Sequence, residues 1–177
     1  MNGTDHRTDR RTDRGVDLDL DLVLDPLPTR WRSLAVLSDD PSCARAAREM
    51  VRRALTDWGL GELADDVELC VSELVGNAAR HAAPDERLVS SGVQRQVTVA
   101  LRTRPCWLFL DVTDQDSRAV PLPTGAAESA PDDGRLACGG RGLQIVRELS
   151  DHLCWAPRVG GGKTVSAHFD TVARTER

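Results

Sequence analysis

The 177-residue chain has no apolar run near the ~18 residues of a membrane span. Its charged N-terminus also lacks the apolar core of a signal peptide. Both absences point to a soluble, cytoplasmic protein with no membrane partner. There is no Cys-x-x-Cys and no Cys/His pair at zinc spacing, which argues against a structural zinc site. The five cysteines stand well apart, at 43, 70, 106, 138 and 154. An odd, scattered set is expected to be free thiols in a reducing compartment. Cys43, Cys70 and Cys154 fall within helix or strand patterns and are expected to be small core residues. Lysine is nearly missing: Lys163 is the only one, and the other basic residues are arginine. No basic stripe appears and the net charge is −5, so direct nucleic-acid binding has no electrostatic footprint.

What is present suits one domain, with 40% hydrophobic residues available for a core. Residues 1–28 are expected to be a tail. They begin with a repeated Thr-Asp-Arg unit and continue into alternating Asp and Leu from Asp17 to Asp25. Alternation is a strand signal, but Asp is a poor strand former. The tail therefore reads as disordered or loosely attached, with an edge strand or a partner-binding segment as alternatives. Residues 29–172 form the expected domain, with a lid over 115–140, and 173–177 a second short tail.

Within the domain, Trp31 to Leu37 is a plausible first strand. Asp40 as N-cap and Pro41 as first helical residue open a helix carrying Ala44, Ala47, Val51, Ala54, Leu55 and Trp58, which ends at Gly59. A second helix is expected from Glu62 to Ala82, before Pro84. Leu63, Val67, Cys70, Leu74 and Ala78 recur on one side of it. Glu73 and Asn77, four residues apart, share a face at the edge of that stripe and could line a cleft. Asn is a poor helix former, and the plain reading of Asn77 is a polar residue bonded to a neighbouring loop.

Two strands follow a polar link over 85–92. Val97, Val99 and Leu101 alternate in one; Leu108, Leu110 and Val112 alternate in the other, which runs into Asp111, Asp114 and Asp116. The segment 115–140 has no periodicity, and a loop of that length is usually a functional lid or an insert. Gly140-Arg141-Gly142-Leu143 then opens a short helix bearing Val146 and Leu149. A final hairpin runs from His152 to Phe169 around Gly160-Gly161-Gly162. The order β-α-α-β-β-lid-α-β-β predicts an α/β two-layer sandwich: a mixed, largely antiparallel sheet with helices on one face.

Singly, the chemical signals are modest. Glycines at a helix start suit a phosphate. Gly162-Lys163-Thr164 is not a P-loop, because the required earlier glycine falls on Pro157 and the motif leads into a strand. Asp114 alone reads as a turn residue, and His81 as a packed core histidine. In order, however, they form a pattern: Ser72-Glu73-Leu-Val-Gly-Asn77-Ala-Ala-Arg-His81-Ala82 on a helix, Asp114 ending a strand, Gly140-Arg141-Gly142-Leu143, then Lys163-Thr164. This pattern resembles the GHKL ATPase superfamily with the Bergerat nucleotide-binding fold. Within it, the chain is most similar to the small anti-sigma-factor serine kinases and their stand-alone actinobacterial relatives, whose helix motif Ser-Glu-x-x-x-Asn-Ala-x-x-His-Ala is matched at every fixed position. The resemblance covers about residues 31 to 170.

The resemblance implies ATP and Mg²⁺ as cofactors. It implies Asn77 as the Mg²⁺ ligand, Glu73 as general base, Asp114 as acceptor for the adenine amino group, Gly140 and Gly142 around the phosphates, and Thr164 supporting the adenine contact. His81, Arg141, Leu143 and Lys163 lie in the same motifs and complete the nucleotide-binding set. Partners implied are a sigma factor and/or a STAS-type anti-sigma antagonist, phosphorylated on Ser or Thr, with a homodimer possible. The alternatives are a non-catalytic partner-binding switch and a stand-alone histidine-kinase-type ATPase domain. One departure stands out: where the family shows Asp-x-Gly-x-Gly, this chain has Asp114-Gln115-Asp116-Ser117. With both glycines missing, the backbone is expected to approach a nucleotide less closely, and Asp116 to add negative charge there.

Overall fold

A computed structural model describes residues 29–81, 95–123 and 140–173. The tail at 1–28, the link at 85–92, most of the expected lid, residues 174–177 and Cys138 lie outside the described residues. The elements are β1 (Arg30–Leu37), α1 (Cys43–Trp58), α2 (Ala64–His81), β2 (Gln96–Arg104), β3 (Trp107–Asp114), α3 (Gly140–Leu149), β4 (His152–Pro157) and β5 (Lys163–Asp170). This is the predicted order. The sheet runs β1-β2-β3-β5-β4, and every pairing is antiparallel.

Two helix starts differ from expectation. α1 begins at Cys43 rather than Pro41. Asp40 satisfies the incoming amides in a turn: its Oδ1 accepts from Ser42 N at 2.8 Å and its carbonyl from Cys43 N at 3.0 Å. Its carboxylate therefore serves that turn instead of capping a helix that starts at once. α2 begins at Ala64, because Gly61–Leu63 form a 3₁₀ turn, with Leu63 N donating to Leu60 O at 3.1 Å. Gly59 ends α1 as expected. Its φ of 72° is left-handed, and Leu60 N reaches back to Leu55 O at 2.9 Å, the pattern that satisfies the last carbonyls of a helix.

The alternation in the strands decides the layering. Val97, Val99, Leu101, Leu108, Leu110, Val112, Ala167 and Phe169 are buried together with Val51, Leu55, Val67, Cys70, Val71, Leu74 and Val146 from the three helices. Burying each Val or Leu side chain contributes about 1.5–3 kcal/mol, so this single interface dominates the stability of the described domain. α1 and α2 are also tied by a two-pronged ion pair, Arg52 to Glu68, with both N···O distances 2.7 Å. Ser72 Oγ donates to Glu68 O at 2.7 Å and accepts from Arg48 at 3.1 Å.

The other sheet face carries no helix among the described residues. There the Arg102 guanidinium lies 4.1 Å over the Phe109 ring, and the edge of His168 meets the same ring at 4.5 Å between centroids. Asp111 accepts from Arg102 Nε at 2.7 Å and from Ser166 Oγ at 2.5 Å. Cys154 belongs to this face. It is exposed, unlike the buried Cys43 and Cys70, so its expected place in the core is corrected. β4 is an edge strand, and the residue period of two directs Cys154 away from the helices while Leu153 and Trp155 pack toward them.

Burial lowers His168 from 6.5 to about 4. A depressed histidine contributes stability that is complete above 6.5 and is lost as pH falls toward about 4, because the unfolded chain takes up the proton first. Thermal melts should therefore show wild-type stability falling more steeply over that window than the stability of His168→Asn. Parallel pH profiles for the two proteins would contradict the assignment.

Candidate functional site

α2 places Glu73 and Asn77 one turn apart, both half-buried, beside the stripe of Val67, Cys70, Leu74 and Ala78 that faces the core. That stripe fixes the rotation of α2, and the pair is thereby held at the rim. The motif serine, Ser72, braces α2 against α1 through Arg48, so its role here is structural.

The start of α3 packs against α2. Gly142 is buried, and a Cβ built on it would stand 2.6 Å from Glu73 Oε2 and 3.4 Å from Asn77 Nδ2. With no Cβ at 142, the first turn of α3 stands this near the pair without displacing the Glu73 carboxylate. The fold therefore brings Glu73, Asn77 and Gly142 into one group. Gly140 opens α3, Arg141 is exposed, and Leu143 packs against the core. His81 is the last residue of α2. Sequence reasoning assigned nothing to Arg80, yet its Nη2 donates to Asn77 Oδ1 at 3.4 Å.

A second group forms where β3 ends. Asp114 and Lys163 are directly paired in the sheet register, and both are buried. Lys163 Nζ donates to Asp114 Oδ1 at 3.1 Å, to Asp116 Oδ2 at 2.9 Å and to Asp116 O at 3.0 Å. Asp116 Oδ1 accepts from Arg118 Nε at 2.9 Å. Burial pushes the Asp114 carboxyl above its ordinary value, against the pull of the Asp116 amide and Lys163. Burial also pushes on Asp116, but Arg118 and Lys163 outweigh it and hold that carboxyl below its ordinary value. The negative charge that Asp116 was expected to add here is met by two cations, Lys163 and Arg118. The strand period of two hid this, because it gives no sign that a residue past the strand end folds back under it.

The glycine turn of the last hairpin closes on the same corner. Gly162 has φ +83°, and a Cβ there would stand 2.1 Å from Asp114 O. Its N–H donates to Ser117 Oγ at 2.9 Å. Close backbone approach at this corner is thus supplied from the β4–β5 turn and not from the segment after Asp114. Thr164 is not brought to this group. Its hydroxyl shares a 2.8 Å hydrogen bond with Thr113, one residue out of phase with Lys163 and Asp114. Among the described residues no hydrogen bond joins Glu73 or Asn77 to Asp114. Arg147 of α3 donates to the carbonyl of Pro123, so the described part of the segment after β3 returns to α3.

The donor set fits a magnesium nucleotide: an amide oxygen on a half-buried helix face, a carboxylate beside it, and a glycine-opened helix start standing against the pair. A two-layer sandwich with an antiparallel sheet thus carries a Glu/Asn pair under a glycine-started helix. The sequence profile described as the histidine kinase-like ATPase domain matches residues 37–169, and the chain belongs to that family. Among solved structures it is similar to the RsbU and RsbW domains of Rv1364c from Mycobacterium tuberculosis, with TM-score 0.52, 18% identity and 81% of this chain covered. The match spans 32% of that chain, and the likeness is one of fold. No curated protein matches the chain. No helix among the described residues is long and apolar enough to cross a membrane.

The two close glycines should behave differently. In Gly162→Ala, the new methyl meets fixed backbone at a left-handed φ, so denaturant unfolding should show a loss of about 2 kcal/mol or more. In Gly142→Ala, the methyl meets the end of a side chain that can swing. Stability should stay within about 1 kcal/mol of wild type, while Glu73 is displaced.

Proposed function

We propose that the protein is an ATP- and Mg²⁺-binding regulator of the anti-sigma-factor serine/threonine kinase type. The observation that carries this reading is the convergence of Gly142 on Glu73 and Asn77 within a histidine kinase-like ATPase fold. The likeness to a chain bearing an RsbW domain supports the anti-sigma form of it.

Each residue then has a physical task. Asn77 Oδ1 would hold Mg²⁺, a cation that prefers oxygen ligands. Arg80, exposed and at 3.4 Å, yields that oxygen readily. The N–H groups of Gly140 and Gly142, at the positive end of α3, hold phosphate oxygens, with Arg141 and Leu143 in the same turn. Asp114 accepts a hydrogen bond from the base amino group. Bound Mg·ATP supplies the phosphoryl group and the counter-charge for its transfer. Glu73 is the general base: its carboxylate takes the proton of a Ser or Thr hydroxyl on a small antagonist protein, directly or through one water. His81 and Thr164 stand at the margins of this set. A sigma factor is the second partner, held by sequestration in place of chemistry.

Calorimetric titration with ATP, with and without Mg²⁺, tests the assignment. Asn77→Ala should lose Mg²⁺-dependent binding, and undiminished affinity would remove Asn77 from the site. Glu73→Ala should keep nucleotide affinity yet lose phosphate transfer to a purified antagonist by about 10²–10⁴-fold. Wild-type protein that binds partner but transfers no phosphate would favour the second reading, a non-catalytic switch. The corner without its glycines favours that reading.

A further inference from the structure

The only lysine of the chain is buried inside the sheet layer, with 7% of its surface exposed. A buried ammonium is stable only if its charge is met and its three N–H groups are all accepted. Lys163 satisfies both conditions: Asp114 Oδ1, Asp116 Oδ2 and Asp116 O take one hydrogen bond each. With its donors spent on protein, this ammonium has none left for a phosphate. Its effect on a ligand must pass through the carboxylates it holds.

The two carboxylates are held differently. Asp116 is occupied on both oxygens, Oδ1 by Arg118 and Oδ2 by Lys163. Asp114 is held on one only. Its Oδ1 accepts from Lys163 Nζ and, at 2.9 Å, from Asp116 N. Among the described residues no hydrogen bond ends on its Oδ2. A carboxylate gripped from two directions at one oxygen cannot turn, so its second oxygen points one way. Gly162, against the Asp114 carbonyl, fixes the backbone beneath it.

We infer that Lys163 is a positioning residue for base recognition: it grips Asp114 Oδ1 and so keeps Oδ2 a fixed, ionised acceptor for the exocyclic amino group of an adenine nucleotide. The inference rests on the nucleotide-binding reading above. It gives the corner lacking Asp-x-Gly-x-Gly a different construction, in which a buried cation from the opposite strand orders the acceptor in place of a glycine-rich backbone. The charged groups acting on Asp114 among the described residues are Lys163 from β5 with Asp116 and Arg118 from the segment after β3. Burial, with the Asp116 charge adding to it, favours the protonated form of Asp114, and the Asp116 amide and Lys163 oppose it. Without the lysine, only the amide opposes it.

The test compares ATP with inosine triphosphate, which carries a carbonyl where adenine carries its amino group. Full-length wild type, Lys163→Met and Lys163→Arg are titrated with each Mg-nucleotide from about pH 5.5 to about pH 8.5, and each protein is melted to confirm folding. Wild type should prefer ATP by about tenfold or more, with a flat pH profile. Lys163→Met should lose most of that preference through weaker ATP binding, leave inosine triphosphate affinity unchanged, and regain ATP affinity as pH rises. Lys163→Arg should restore the flat profile. A folded Lys163→Met with wild-type preference and a flat profile overturns the inference, because the lysine then only fills space. If wild type binds neither nucleotide, the nucleotide reading itself fails. Should Lys163→Met not fold, the Asp114 carboxyl carbon of wild type is followed by NMR. It should shift with ATP and stay still with inosine triphosphate; an equal response to both overturns the inference.

Discussion

The rotation of α2 about its own axis is the constraint on which the rest depends. Its buried stripe must face the sheet and α1, since turning the helix by one residue would carry several Val and Leu side chains into water and Glu73 into the core. Once that rotation is set, Glu73 and Asn77 can stand only at the rim. The Arg52–Glu68 and Arg48–Ser72 bridges sharpen the same setting from the α1 side. α3 then completes the group, because Gly142 allows it to close on a carboxylate that any Cβ would displace.

The corner at Asp114 is organised by electrostatics and not by apolar burial. Two carboxylates and an ammonium are removed from water together, a placement that is costly unless each charge is answered. Asp114, Asp116, Lys163 and Arg118 answer one another, and the hydrogen bonds among them are all local to the end of β3 and the start of β5. Gly162 brings the two backbones together so that the lysine can reach. Its left-handed φ is the backbone conformation that a glycine adopts without strain. Among the described residues the α2 rim and this corner are separate in hydrogen bonding, and each is anchored to the same sheet.

The repeating parts of the fold were legible in the sequence. The stripe on α2, the alternation in β2, β3 and β5, and the glycine ending α1 all report a period or a stop that local stereochemistry imposes. The helix starts were less so. Asp40 and Glu62 carry signals that a turn can use as well as a helix, and the turn took them. Cys154 was misplaced because an apolar-looking strand residue on a sheet edge can face either way, and the choice belongs to the layer behind it.

Composition and spacing by themselves determined the element order and the Glu73–Asn77 pair, because each rests on residues close in sequence, and that order in turn implied the two-layer class. The tertiary structure alone decided what stands opposite that pair and how Asp116 is neutralised. Lys163 meets Asp114 and Asp116 across 49 and 47 positions of chain, and Gly142 meets Glu73 across a longer stretch still. No local pattern encodes such meetings. They follow from which strand lies beside which, and from the need to leave no buried charge unanswered.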